Sequence, residues 1–427
     1  MRIDRLRLLN FRGFSDATLE LDPRLTVVAG VNGSGKSSLI EGLAVAAGAW
    51  FLGFGDLPQR RLRTEDVRHV PYEFEGQPSI EPQFPCRVEA EGVAGTATRW
   101  VREVRARGGY YGDALEIKAA GERAQRAVAA GEPVDLPVLA AYGAGRLWLQ
   151  KRTSTLKEAR LGSRTQGYTD CLEAESSQRL LIAWMRRMET ARIQRIAAHG
   201  GPLPAEVFRP PALDLVQRAA AGLIEGAERL YFDVAHDELR LHFRDGRQMP
   251  FHLLSDGFRG LVALAADLAW RAIQLNPHQG AAALDKAVGI VLIDEIELHL
   301  HPAWQRSVLD RLLNIFPGLQ FVVTTHAPLV LAATPAHQLR FLDATGAIHR
   351  VQVANGLTAN TVLRALMGVP ERADWAQRAL SRLGALIEQG EKEAARAAFT
   401  HLRDTLGDLD PDLLTLEWEL RDLEVHG

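Results

Sequence analysis

Apolar residues first alternate with polar ones, then run continuously, then recur at helical spacing, and this order predicts the elements. Residues 3–11 alternate with the period of two expected of a half-buried strand. Asn10-Phe11-Arg12-Gly13-Phe14 makes a turn, and 17–21 reads as the returning strand. Leu25-Thr26-Val27-Val28-Ala29 is a β-branched apolar run, and 38–46 is apolar at helical spacing. Short strands are expected at 86–91, 96–105 and 114–119, completing an antiparallel sheet, with turn signals at Gly108-Gly109 and Gly112-Asp113. Residues 137–142 form an apolar strand that ends in Gly143-Ala144-Gly145-Arg146. Helices are predicted at 176–198 and 212–229, then a hairpin of 230–234 with 238–243. The continuous apolar runs 288–293 and 319–325 read as strands buried on both faces, as in a parallel sheet. A strand pair at 338–342 and 348–353 precedes helices at 359–367, 372–388, 391–406 and 411–423, punctuated by Gly390 and Gly407.

The first of these strand-to-helix junctions carries chemistry. Gly30-Val31-Asn32-Gly33-Ser34-Gly35-Lys36-Ser37 reads G-x-x-x-x-G-K-S between a strand and a helix, the context a phosphate-binding loop needs. Glycines let backbone N–H groups from Asn32 to Ser38 turn towards a β-phosphate without a Cβ in the way. The helix N-terminus adds a positive dipole end. Lys36 can reach the β- and γ-oxygens, and the Ser37 hydroxyl can ligate Mg²⁺. ATP with Mg²⁺ is therefore the expected cofactor.

Composition narrows the setting. No apolar run approaches the roughly 18 to 20 residues needed to span a bilayer, and the N-terminus has no signal-peptide core. Cys86 and Cys171 are too few for a disulfide framework or a zinc site. A cytoplasmic protein is expected. The net charge of −3 decides nothing about partners, but its distribution is uneven. From Arg146 to Arg195 basic residues outnumber acidic ones by about two to one, and from Glu371 to Glu424 the bias reverses. A basic middle suits nucleic acid, and an acidic tail suits a basic protein.

Further motifs follow in order. Asp294 ends the 288–293 strand, where it can hold Mg²⁺, and Glu295 is placed to polarise an attacking water as general base. Leu254-Ser255-Asp256-Gly257 resembles the signature loop of ABC-type ATPases, with Ser-Asp-Gly for the usual Ser-Gly-Gly. The resemblance implies that Ser255, Asp256 and Gly257 cap the γ-phosphate of ATP held by a second subunit. Thr324-Thr325-His326 resembles the switch histidine of that superfamily, which implies that His326 contacts the γ-phosphate. Arg12, at the tip of the first β-ribbon, matches an arginine that lies near the phosphates in the RecF and SMC group. Residues 63–68 fall where ABC-type ATPases carry their Q-loop. No glutamine stands there, and Asp66 is the candidate substitute at the metal. Arg146 is a candidate nucleotide- or DNA-facing arginine. His299 and His301 lack a third metal ligand, and the R-x₆-H spacing of Arg192 and His199 is too common by chance to mark a ribonuclease.

Together these motifs resemble the RecF/SMC/OLD branch of ABC-type ATPases. The implied class is α/β: a mixed central sheet with flanking helices and an antiparallel β subdomain, plus a helical insertion and a helical tail. The expected divisions are 1–145, 146–229, 230–356 and 357–427. Asp-Glu-Ile-Glu-Leu-His-Leu-His-Pro at 294–302, Ala-Tyr-Gly-Ala-Gly-Arg-Leu-Trp at 141–148 and the compact tail resemble the ATPase subunit of Septu-type anti-phage systems and their retron relatives. That resemblance implies a homodimer or higher oligomer, closed around ATP, that controls a separate HNH nuclease. Asp408-Leu409-Asp410 has the spelling of a Toprim metal site but lies in a polar turn, so no nuclease centre is expected in the chain itself. The other readings are a RecF-like repair ATPase without a nuclease, and an ATP-gated scaffold with little turnover.

Overall fold

The computed structural model describes residues 1–427 except 58, 75–76, 107–108, 146–162, 174–177, 200–209, 352–357, 359–360, 362–363, 365–371, 409 and 427. The chain divides into two compact units, Met1–Leu357 and Thr358–Gly427.

The continuous apolar runs build the centre of the first unit. Strands β3 (Leu25–Gly30), β9 (Val138–Tyr142), β13 (Gly289–Ile293) and β14 (Leu319–Thr325) are buried at every residue. With β15 (Leu339–Leu342) they pair in parallel in the order β15-β3-β14-β13-β9, and β16 (Ile348–Arg350) joins antiparallel at the β15 edge. A parallel strand is covered on both faces, which is why these segments do not alternate.

The alternating segments form a second, antiparallel sheet in the order β2-β1-β6-β7-β8: β1 (Arg2–Phe11), β2 (Phe14–Glu20), β6 (Cys86–Ala94), β7 (Ala97–Ala106) and β8 (Gly109–Tyr111). Helix α1 (Lys36–Ala47) lies between the two sheets and touches both. That position explains why it is apolar on all sides rather than on one stripe. Gln320 ties the sheets together: its amide donates to the Ile3 and Asp22 carbonyls and accepts the Ile3 N–H, so a buried polar group in β14 is fully used.

Three local expectations are corrected. Residues 114–119 do not form a strand; they open helix α2 (Leu115–Ala129). Ile117, Ala120, Gly121 and Ala124 are its buried residues, a spacing of three to four that a six-residue window is too short to reveal. The helix expected to run to Arg229 is α4 (Pro211–Gly222), which stops before Gly226 at φ 76°. Residues 227–229 belong instead to β10 (Ala227–Asp233), paired with β11 (Glu238–Phe243) and β12 (Gln248–Pro250). An unpredicted hairpin, β4 (His69–Phe74) with β5 (Gln77–Pro82), lies in a stretch for which no element was expected.

Helix α3 (Gln178–Ala198) precedes α4, and α5 (Asp256–Leu275) packs on both α4 and β9. α6 (Val308–Ile315) leads into β14. In the second unit α7 (Asp374–Glu388), α8 (Lys392–Leu406) and α9 (Pro411–His426) enclose a core of their own that includes Leu380, Leu383, Ile387, Phe399, Leu402 and Leu413. Asp410 accepts the N–H groups of Asp412 and Leu413 at the start of α9 and pairs with Arg372. Both of its oxygens are thus used in folding the tail.

Candidate functional site

β3 delivers the loop 31–35 to the N-terminus of α1. Gly33 and Gly35 adopt φ of 79° and 104°, the left-handed region where a Cβ is strained. Gly35 occupies the N-cap of α1 with no side-chain cap, so the first N–H groups of the helix stay available. The Lys36 ammonium donates to the carbonyls of Gly30 and Val31, each at 2.9 Å. Burial draws its pKa below the ordinary lysine value, against the opposing pull of Asp294, Glu295 and Glu297. Ser34 Oγ is buried without a hydrogen-bond partner, while Asn32 and Gly33 are exposed.

β13 brings the acidic pair to the same place. The Ser37 hydroxyl donates to Asp294 Oδ2 at 2.7 Å. The other Asp294 oxygen accepts the hydroxyl of Thr324, and Thr324 Oγ1 in turn accepts the Glu295 N–H at 2.8 Å. Glu295 sits at φ 50° in the turn that leaves β13. Glu297 accepts the backbone N–H of His326, the residue that follows β14. Burial, then the positive charge of Lys36, lowers the His326 pKa below its ordinary value of 6.5, so the imidazole is neutral at pH 7. Thr324 and Glu297 were not singled out from sequence. The sequence signal for Thr324 was the pair of hydroxyls, Thr324-Thr325, that ends an apolar run just before His326; both are buried.

These residues fit a Mg²⁺-nucleotide. A hydroxyl and a carboxylate already share one point, a buried serine oxygen lacks a partner, and an ammonium rests on carbonyls of its own loop. Ser38, half-buried in the first turn of α1, extends the row of N–H donors.

The signature stretch sits at the N-terminus of α5. Ser255 is the N-cap, exposed and making no side-chain cap bond. Asp256 pairs with Arg259 one turn along the same helix. Gly257 is buried against the turn after Glu295: a Cβ there would lie 2.2 Å from the His299 carbonyl oxygen. Among the described residues, no hydrogen bond or ion pair joins 255–257 to the loop 30–37. His301 caps the short helix Pro302–Gln305 by accepting the Ala303 N–H, a structural use of a residue that spacing alone made a candidate ligand. Replacing Gly257 by Ala must move the first turn of α5 away from His299. A displacement of that kind is expected to lower turnover on the order of 10- to 100-fold while nucleotide affinity stays unchanged. Phosphate release and equilibrium binding on one preparation check both halves.

A family model described as "AAA domain" matches residues 5–192, and one described as "AAA domain, putative AbiEii toxin, Type IV TA system" matches 172–332. The chain is 41% identical over 100 residues to the Retron Vc95 probable ATPase of Vibrio cholerae, covering 23% of this chain and 19% of that protein. It is 46% identical over 78 residues to the Septu protein PtuA of Bacillus mycoides, covering 18% and 10%. It is 26% identical over 380 residues to the DNA replication and repair protein RecF of Brucella suis, covering 77% and 91%. The chain is thus similar to AAA domains over 5–332 and to ATPases of the retron, Septu and RecF kinds. Its matches to the retron and Septu relatives span less than a third of those proteins' lengths.

Two of the predicted site residues turn out to be partners of each other. Arg12, at φ 49°, donates Nε to Asp66 Oδ1 at 2.9 Å, with Nη2 2.8 Å from the same oxygen and 3.8 Å from Glu41. The second Asp66 oxygen accepts the Arg63 N–H. Asp66 is 0% exposed and both its oxygens are taken, so it holds the Arg12 turn rather than offering itself to a metal. Arg146 lies outside the described residues.

Sequence reading also missed a buried network behind the acidic pair. Tyr142 donates to Asp267 Oδ2 at 2.6 Å, and Arg271 Nε donates to the same oxygen at 2.7 Å. The Tyr142 carbonyl accepts the Asp294 N–H. Burial pushes the Tyr142 pKa well up, so its phenol stays a donor.

Proposed function

We propose that this chain binds ATP with Mg²⁺ at the Gly30–Ser37 loop and hydrolyses it in a composite site shared by two copies. The observation that carries this reading is the Ser37–Asp294 hydrogen bond beside Lys36, which joins the phosphate loop to the acidic pair after β13. In this reading Lys36 and the N–H groups of 32–38 hold the phosphates, and Ser37 and Asp294 hold the metal. The bound metal supplies charge neutralisation at the phosphate oxygens. Glu295 takes a proton from water, and His326, neutral at physiological pH, donates or accepts a hydrogen bond at the γ-phosphate. Arg12 lies at the rim of this site. Ser255, Asp256 and Gly257 complete the site of the other copy, consistent with the free N-cap hydroxyl of Ser255.

Mixing tests the composite site. Ser255→Arg is expected to abolish hydrolysis and leave ATP binding intact, whereas Lys36→Ala loses nucleotide affinity. A heterodimer of the two regains part of the activity, since one of its two sites is whole. No recovery in confirmed heterodimers sinks the shared site.

The biological reading is an anti-phage defence ATPase in the cytoplasm that controls a partner nuclease of the HNH type acting on nucleic acid. Similarity to the retron and Septu proteins supports the defence role. The acidic tail, with its own core, suits a basic partner. Truncation after Leu357 is expected to leave ATP hydrolysis largely intact and to abolish nuclease co-purification from the native host. A truncated chain that still captures the nuclease removes the tail as docking surface. The long match to RecF favours a second reading, a repair ATPase with no nuclease, and the same pull-down separates them.

A further inference from the structure

A cavity of about 320 Å³ opens between β7, the 3₁₀ turn Gly48–Gly53, residues 59–62 and the start of α2. It lies at the far end of α1 from the phosphate loop. Twelve residues at about 1.5 Å each put roughly 18 Å between the two places, so the cavity is separate from the nucleotide site.

Its charges are unbalanced. Arg102 and Arg61 line it together, and neither makes a hydrogen bond or an ion pair among the described residues. Burial, then the positive charge of Arg61, lowers the Arg102 pKa from its ordinary value. Lys118 adds a third cation, whose only ion pair among the described residues is an exposed one to Glu122 at 3.6 Å. The one carboxylate residue in the lining, Glu103, is already bound to Arg87 and Arg105. Two guanidiniums brought together in a partly desolvated space repel each other unless an anion joins them. α2 starts at the same wall with Ala114 as its N-cap, which offers no side-chain oxygen to its first N–H groups. Leu52 and Leu62 supply an apolar side, and the volume is at the lower end for small-molecule sites.

We propose that this cavity binds a small phosphomonoester, with Arg102, Arg61 and Lys118 on the phosphoryl oxygens and the organic body against Leu52 and Leu62. The bidentate geometry of guanidinium suits a phosphoryl group.

Calorimetry tests this on the full chain saturated with Mg²⁺ and a non-hydrolysable ATP analogue, so that the phosphate loop is blocked. Phenyl phosphate is the probe and phenol the control. Phenyl phosphate is expected to bind and phenol not to. Arg61→Glu at the exposed rim and Arg102→Gln should each weaken binding about tenfold or more. Arg61→Glu keeps the test decisive if Arg102→Gln fails to fold. Lys36→Ala, assayed without the analogue, should bind phenyl phosphate as the unaltered chain does. No binding at about 1 mM phenyl phosphate, binding unchanged in Arg61→Glu, or binding lost in Lys36→Ala overturns the proposal.

Discussion

Glu295→Gln is expected to reduce ATP turnover by about 10²- to 10⁴-fold while ATP and Mg²⁺ affinity stay near their original values. The geometry separates these two effects. The backbone of Glu295 is fixed by its N–H to Thr324 Oγ1, and Thr324 also donates to Asp294. An amide of the same shape leaves that backbone bond and the Ser37–Asp294 pair in place, and removes only the group able to accept a proton. Binding without turnover should accumulate a closed dimer, visible as a mass increase in sedimentation with ATP but not with ADP. Turnover at the unaltered rate would show that Glu295 is not the base. Lys36→Ala is expected to have the opposite signature, lost affinity first, because in the proposed reading its ammonium leaves the Gly30 and Val31 carbonyls for the phosphates.

The features legible in sequence were those whose chemistry is local. The phosphate loop needs glycines, a lysine and a serine within eight residues, and the largely apolar, non-alternating runs of β3, β13 and β14 suit strands covered on both faces of a parallel sheet. Helical spacing likewise exposed the three tail helices to within about three residues. What escaped depends on contacts distant in sequence. Asp66 read as a metal candidate because it stands at the Q-loop position, and only the fold shows Arg12, 54 positions away, bound to one of its oxygens and the Arg63 N–H to the other. Thr324 was read only as a neighbour of His326, and its bond to Asp294 needs β14 beside β13. Gly257 was expected to face a phosphate, yet the structure shows a second demand on it, the His299 carbonyl at its Cα. The segment 114–119 was misread for a different reason: alanine-rich helices and short strands share apolar content, and only the whole length of α2 separates them.

Arg271→Met is expected to cost about 3–5 kcal/mol of stability, among the largest effects of any single substitution in the first unit. Arg271 and Asp267 are one turn apart on α5 and are 2% and 1% exposed. Removing the arginine leaves a buried carboxylate with Tyr142 as its remaining charge-stabilising partner, and Asp267 Oδ1 already makes no hydrogen bond. It also frees the Gly167 and Thr169 carbonyls, which accept from Arg271 Nη1 at 2.7 and 3.1 Å and fasten residues 167–169 to α5. The damage should come mainly from the stranded charge rather than from the lost contact. Asp267→Leu in the same chain should therefore restore much of the stability, since a buried pair replaced by apolar groups of similar volume is often neutral. Urea unfolding of the original chain and the two variants reads the comparison directly. Single and double variants equally unstable would place the energy in the carbonyl contacts to 167–169. A single variant as stable as the original chain would show that Asp267 takes up a proton at little cost. Because the Tyr142 carbonyl holds the Asp294 N–H, the stable double variant also asks whether the network positions the metal site: unchanged stability with reduced turnover would assign Tyr142, Asp267 and Arg271 a positioning role behind Asp294.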